Sequence, residues 1–105
     1  SDSVIVRGGF KVDLAQIEAA LLEHPEVEAA CAVGIPDHRL GEVPAVLVTV
    51  RGPAGANDLT AWLRDRVPAY AVPAVIEITN KIPQTSTFKP HRAKIREQLI
   101  ACREG

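Results

Sequence analysis

Gly8 and Gly9 separate two short β-prone runs, Val4-Ile5-Val6 and Phe10-Lys11-Val12, and no other feature constrains this 105-residue chain so tightly. Paired glycines reach the positive φ that a tight hairpin turn needs, so the two runs are expected to fold back on each other. A helix follows at once. Asp13 stands as its N-cap, Gln16 completes a capping-box pattern, and Leu14, Ile17, Ala20 and Leu21 recur at helical spacing. The spacing predicts an amphipathic helix over 14–23, stopped by His24-Pro25.

Val27, Ala29, Cys31 and Val33 then mark a strand ending near Gly34-Ile35-Pro36. Asp37 to Glu42 is polar and turn-rich. Ala45 to Val50 is a second aliphatic strand, with Pro44 at its start or at a bulge. Arg51 to Asn57, with its glycines and proline, is expected to be the most exposed loop. Asn57 or Asp58 caps a helix with Leu59, Trp62, Leu63 and Arg66 on one face, ended by Val67-Pro68. Tyr70-Ala71-Val72-Pro73 is a stiff connector into a third strand, Val75 to Ile78. Pro83 to Phe88 forms a loop, and Pro90 fits the first turn of a last helix carrying Ile95, Leu99 and Ile100. This order predicts a two-layer α+β domain: three strands against three helices, with the small hairpin separate.

Composition narrows the chemistry. Hydrophobic residues make up 47% and aromatics 4%, so the core must be aliphatic. A formal charge of -1 gives no electrostatic reason to expect nucleic acid or an anionic membrane. No apolar run reaches membrane-spanning length and no leader pattern precedes the first strand, so a cytoplasmic, reducing setting is the default expectation. The abrupt start at a strand also suits a domain cut from a larger chain. Cys31, in an apolar run, reads as a small buried hydrophobe, and Cys31 and Cys102 have no zinc spacing. His24, His38 and His91 are dispersed and have no helical ligand partners, so no metal site is expected. Arg7-Gly8-Gly9 is neither a Walker motif nor a dinucleotide fingerprint, and no Gly-x-Ser-x-Gly is present. Glu18, Glu26 and Glu28 read as exposed charges. As a free-standing enzyme, the chain has no catalytic constellation.

Lys89 is the candidate that remains. It ends the hydroxyl-rich loop Pro83-Gln84-Thr85-Ser86-Thr87-Phe88 just ahead of a helix. A lysine is a compact cation on a flexible stem, suited to following phosphate or carboxylate oxygens that move during a reaction.

Taken together, these segments resemble the C-terminal domain of adenylate-forming enzymes, a superfamily of acyl-CoA synthetases, peptide-synthetase adenylation domains and luciferases. Val6-Arg7-Gly8-Gly9-Phe10-Lys11-Val12-Asp13 with Ile17-Glu18 is similar to the family's opening hairpin and helix. His24-Pro25-Glu26-Val27, Val33-Gly34-Ile35-Pro36-Asp37 and Gly41-Glu42 resemble its middle. Val67 to Pro73 is similar to its Tyr-x-Val-Pro stretch, and Pro83 to Lys89, with Arg92, to its closing segment. The likeness covers essentially the whole chain, in order.

The resemblance implies that residues 1–105 are the mobile C-terminal lid of an ATP-dependent acyl-CoA synthetase, inactive alone and working with its own N-terminal domain. ATP and a carboxylic acid would give an acyl-adenylate, and CoA would then give the thioester. Mg2+ would be held mainly by the N-terminal domain. On this likeness Lys89 is the adenylation lysine, Gly8, Gly9, Phe10 and Lys11 line the pantetheine tunnel, and Asp2 is the hinge. A fatty acyl-AMP ligase, a peptide-synthetase adenylation domain and a non-catalytic carrier-docking module are the alternatives. The chain departs from the family at Phe88, where glycine is usual, and at Pro90 and His91.

Overall fold

The structure is a computed structural model and describes residues 3–105. Its elements are β1 (Val4–Arg7), β2 (Phe10–Asp13), α1 (Leu14–Leu22), β3 (Val27–Asp37), β4 (Gly41–Val50), α2 (Ala56–Arg64), a 3-10 turn (Ala69–Ala71), β5 (Val75–Ile78) and α3 (Arg92–Glu104). The α+β class and the predicted order hold.

β4 organises the sheet. β3 runs antiparallel along one edge, from Val27 opposite Val50 to Asp37 opposite Gly41. β5 lies parallel along the other edge, from Ala45 opposite Val75 to Val48 opposite Ile78. β1 joins β4 where Arg7 faces Gly41, so the hairpin is attached to the three-stranded sheet and makes it five-stranded.

Side-chain parity along the strands divides the core in two. Ala32, Val46 and Val48 pack with Leu14, Ile17 and Leu21 of α1 and Leu59 and Leu63 of α2. Cys31, Val33, Ala45 and Leu47 pack with Ile95 and Leu99 of α3. The sheet is therefore covered on both faces, and the domain has three layers where the sequence predicts two. The reason is legible in Val43 to Val48: apolar residues occupy both parities, so neither face can be left in water. Ile95 and Leu99 are fully buried, worth about 1.5–3 kcal/mol each in removed apolar surface. A bulge between Val27 and Ala29 turns Val27 onto the α1 face although its odd number would put it on the other.

Several boundaries differ from expectation. β3 runs through Gly34-Ile35-Pro36 to Asp37, and β4 begins at Gly41 rather than Ala45. The turn between them is tight because Asp37 Oδ1 accepts from the N–H groups of Arg39 and Leu40, both at 2.9 Å. Gly41, at φ 87°, completes it. Pro44 lies inside β4, opposite Gly34. Its carbonyl points to the β5 edge, accepting from the Ala74 N–H at 2.9 Å. Its missing N–H falls between the end of the β1 contact and the start of the β5 ladder, where no donor is needed.

The caps also shift. Asp13 caps α1 as predicted, accepting from the Ala15 N–H at 3.0 Å. Gly55, not Asn57 or Asp58, is the N-cap of α2; Asp58 reaches back from the first turn to the Gly55 N–H at 2.8 Å. His91 caps α3, its Nδ1 accepting from the Lys94 N–H at 3.3 Å, so Pro90 precedes the helix. The 51–57 loop is not the most exposed, because Glu26 secures it: its Oε1 accepts from the Ala54 N–H at 2.8 Å. Burial raises the Cys31 thiol above the usual range, with Arg92 opposing and Glu18 adding to the shift, in keeping with a core role. No helix among the described residues is long and apolar enough to cross a membrane.

Candidate functional site

The lysine loop is built as a closed unit. At its start, the Thr79 N–H donates to Val48 O at 2.9 Å and half-buried Ile82 packs against the α3 core. Its ends meet where the His91 N–H donates to Pro83 O at 2.8 Å. Inside, the Thr85 N–H donates to Lys89 O at 2.7 Å and the Phe88 N–H to Thr85 O at 3.0 Å. The Lys89 N–H in turn donates to Thr85 Oγ1 at 3.3 Å, and the hydroxyls of Thr85 and Thr87 are 3.1 Å apart. Phe88 closes the loop at φ 65°, in the left-handed region. For a residue with a Cβ that costs about 1–2 kcal/mol. At 81% exposure, the Phe88 ring recovers little of that by burial.

Lys89 itself is exposed at the end of this loop. Among the described residues, no hydrogen bond or ion pair engages its ammonium group. A fixed backbone thus carries a free cation, an arrangement able to meet an incoming anion.

The hairpin tip is a second built surface. Gly8 and Gly9 sit at φ 54° and 93°, as a two-residue turn joining right-twisted strands requires. The Gly8 N–H donates to Leu40 O at 2.8 Å. The Arg7 guanidinium donates to the carbonyls of Tyr70 at 2.9 Å and Val72 at 3.3 Å. Phe10 stacks on Tyr70, ring centroids 4.8 Å apart. A Cβ on Gly8 would meet Leu40 Cδ2 at 2.8 Å, whereas at Gly9 it would meet nothing within 4 Å. Lys11 is exposed on β2. Gly8, Gly9, Phe10 and Lys11 thus share one surface. Lys89 lies on a separate loop: the hairpin meets β4 at Gly41, and the segment leading to the lysine bonds to β4 at Val48. Asp2 lies outside the described residues.

Sequence reasoning missed a third constellation. The outer edge of β3 is covered by charged side chains. Glu18, half-buried rather than a free surface charge, accepts from the Ala32 N–H at 2.8 Å. Arg92 donates to Ala32 O at 3.2 Å, and Arg96 to Gly34 O at 3.1 Å. Arg103 donates to Pro36 O at 3.3 Å and to Asp37 at 2.8 Å. Two strand residues rise about 6.6 Å and four helix residues about 6 Å, so Arg92 and Arg96 fall in step with the alternate outward carbonyls of β3. The signal available in the sequence is that these three arginines share one helix face. The strand they serve cannot be read there. Among the described residues, no group of three or more His, Cys, Asp or Glu side chains is placed to hold a metal ion.

The AMP-binding enzyme C-terminal domain family matches over residues 16–89, more than half of the chain. The chain belongs to this family. Among curated relatives, 4-coumarate–CoA ligase-like 9 of Oryza sativa subsp. japonica is 38% identical over 94 residues, 88% of this chain and 17% of that protein. Feruloyl-CoA synthase of an Amycolatopsis species is 37% identical over 98 residues, 91% of this chain and 20% of that protein. The chain therefore spans about one-fifth of the relatives it matches. A solved Mycobacterium tuberculosis fatty acyl CoA synthetase superposes with a TM-score of 0.86 at 27% identity, over 95% of this chain and 20% of that one. As an AMP-binding enzyme C-terminal domain, the chain carries Lys89 as the last residue of the matched segment, while the glycine hairpin lies outside it.

Proposed function

We propose that this chain is the C-terminal lid of an ATP-dependent acyl-CoA synthetase, hinged near Asp2 and acting with a larger N-terminal domain. In the first half-reaction, a carboxylate oxygen attacks the α-phosphorus of ATP, the bond to the β-phosphate bridge breaks, and pyrophosphate leaves. Lys89 supplies positive charge to the carboxylate and α-phosphate oxygens where negative charge gathers in the transition state. In the second, the CoA sulfur attacks the acyl carbonyl and AMP leaves. For this step the lid turns, and the hairpin at Gly8, Gly9, Phe10 and Lys11 lines the path of the pantetheine arm. Missing Cβ atoms at the two glycines leave room for a narrow ligand against the backbone. Mg2+ would be held mainly by the N-terminal domain.

The observation that carries this reading is the Lys89 ammonium, engaged by no hydrogen bond or ion pair among the described residues, on a loop closed by its own backbone hydrogen bonds. The CoA ligases and CoA synthases among its relatives support the reaction class. Its test is Lys89→Ala in the full-length enzyme, assayed as two half-reactions. Acyl-adenylate formation is expected to collapse while thioester formation from supplied acyl-AMP persists. Equal loss of both would sink the assigned role. The isolated domain is expected to form no acyl-adenylate.

A further inference from the structure

We propose that Arg92 is a positioning residue for Lys89, locking the lysine loop to the edge of β3 through Ala32. The inference rests on the adenylation role given to Lys89 above.

Ala32 is gripped from two sides. Its N–H goes to Glu18 of α1 at 2.8 Å, and its carbonyl takes the Arg92 guanidinium at 3.2 Å. Arg92 also lies 3.6 Å from Cys31 Sγ. Arg92 is the first residue of α3, directly after His91, whose N–H closes the loop on Pro83. The loop's own hydrogen bonds fix its internal shape but not its place on the domain. Anchors at both ends fix that place. The entering end is held by the Thr79 N–H on Val48 O at 2.9 Å and, nearer the loop, by apolar packing of Ile82. On the exit side, Ile95 is buried one helical turn further on, and Arg92 is the first side chain with a directed bond to the sheet.

Apolar contacts permit sliding, whereas a guanidinium bonded to a strand carbonyl fixes direction as well as distance. Without Arg92, the first turn of α3 would be free to fray, and the Lys89 backbone would move with it. A displaced cation costs rate in the step that uses it and leaves the step that does not.

The test uses the full-length enzyme. Arg92→Gln should lower the rate of acyl-adenylate formation by about 10- to 100-fold, the range for a catalytic group misplaced by roughly 1 Å. Thioester formation from supplied acyl-AMP should stay within about twofold of wild type. Arg92→Lys, which keeps a long, charged donor where Gln has a shorter neutral one, should recover part of the loss; if the Gln variant does not fold, the same split is read on Arg92→Lys. Arg103→Gln, which alters the far end of the same helix, should adenylate normally. Adenylation by a folded Arg92→Gln enzyme within about twofold of wild type, or equal loss of both half-reactions, overturns the proposal. Lys89→Ala is run alongside. If it still adenylates, the underlying reading fails and the positioning role with it. If it does not and Arg92→Gln does, only the positioning role fails.

Discussion

Phe10 and Tyr70 stack with their ring centroids 4.8 Å apart and their planes inclined by 16°. The contact joins the hairpin to the 3-10 turn, two segments separated by most of the fold. It also aims the glycine turn, because the Arg7 bonds to Tyr70 O and Val72 O sit beside it. A double-mutant cycle of Phe10→Ala and Tyr70→Ala is expected to return a coupling of about 0.5–1 kcal/mol, the lower part of the range for aromatic pairs. Both rings are partly exposed, at 57% and 38%, which keeps the value low. Zero coupling in chemical denaturation would mean that the hairpin is held by Arg7 and the strand ladder alone.

Phe88 pays for its left-handed backbone with strain that glycine would not feel. Phe88→Gly removes about 1–2 kcal/mol of that cost but adds about 0.5–1 kcal/mol of unfolded-state entropy, leaving a small net gain in stability. Phe88→Val should destabilise, since a β-branched residue tolerates positive φ least. Melting temperatures in the order Gly, Phe, Val are expected. A lower midpoint for Gly than for Phe would show that the exposed ring contributes more than its burial suggests.

Gly9 faces open space: a Cβ there meets nothing within 4 Å. Its φ of 93° still makes any substitution cost about 1–2 kcal/mol. Under the tunnel reading, Gly9→Trp in the full-length enzyme should block CoA entry and stop thioester formation while adenylation continues. Retention of the thioester step would remove the hairpin from the path of CoA.

Asp37 carries the clearest pH signature. The Arg103 hydrogen bond, followed by the N–H groups of Arg39 and Leu40, holds its carboxyl well below the usual carboxylate range. A group with a depressed folded-state pKa stabilises above its unfolded value, about 3.9 for Asp, and loses that contribution as pH falls toward the folded value. Thermal midpoints of wild type and Asp37→Asn should therefore differ at pH 7 and converge below about pH 4. A gap unchanged across that window would mean that the turn, not the charge, sets the difference.

Much of the fold was legible because its signals are local. Glycine φ freedom gave the hairpin, the Asp13 side chain gave the start of α1, and apolar spacing gave the strands and helices in order. Lys89 was legible as an exposed residue on a loop ahead of a helix for the same reason. Boundaries failed where a distant partner decided them: Glu26 gathered in a loop that its glycines made look free, and Asp37 shortened a turn that its polar residues made look long. Glu18 is the sharpest miss. Helical spacing puts it beside the buried face, but only the approach of Ala32 makes it a hydrogen-bond acceptor rather than a solvated charge.

By itself, then, the sequence determined the elements, their order and the aliphatic character of the core, since each depends on residues within a few positions of one another. The tertiary structure alone decided that helices cover both faces of the sheet, that the hairpin joins it through Arg7 and Gly41, and that Arg92, Arg96 and Arg103 cap the open carbonyls of β3. Those outcomes depend on which surfaces meet when the chain closes. A strand's unsatisfied carbonyls acquire partners only once a helix from the far end of the chain lies beside them.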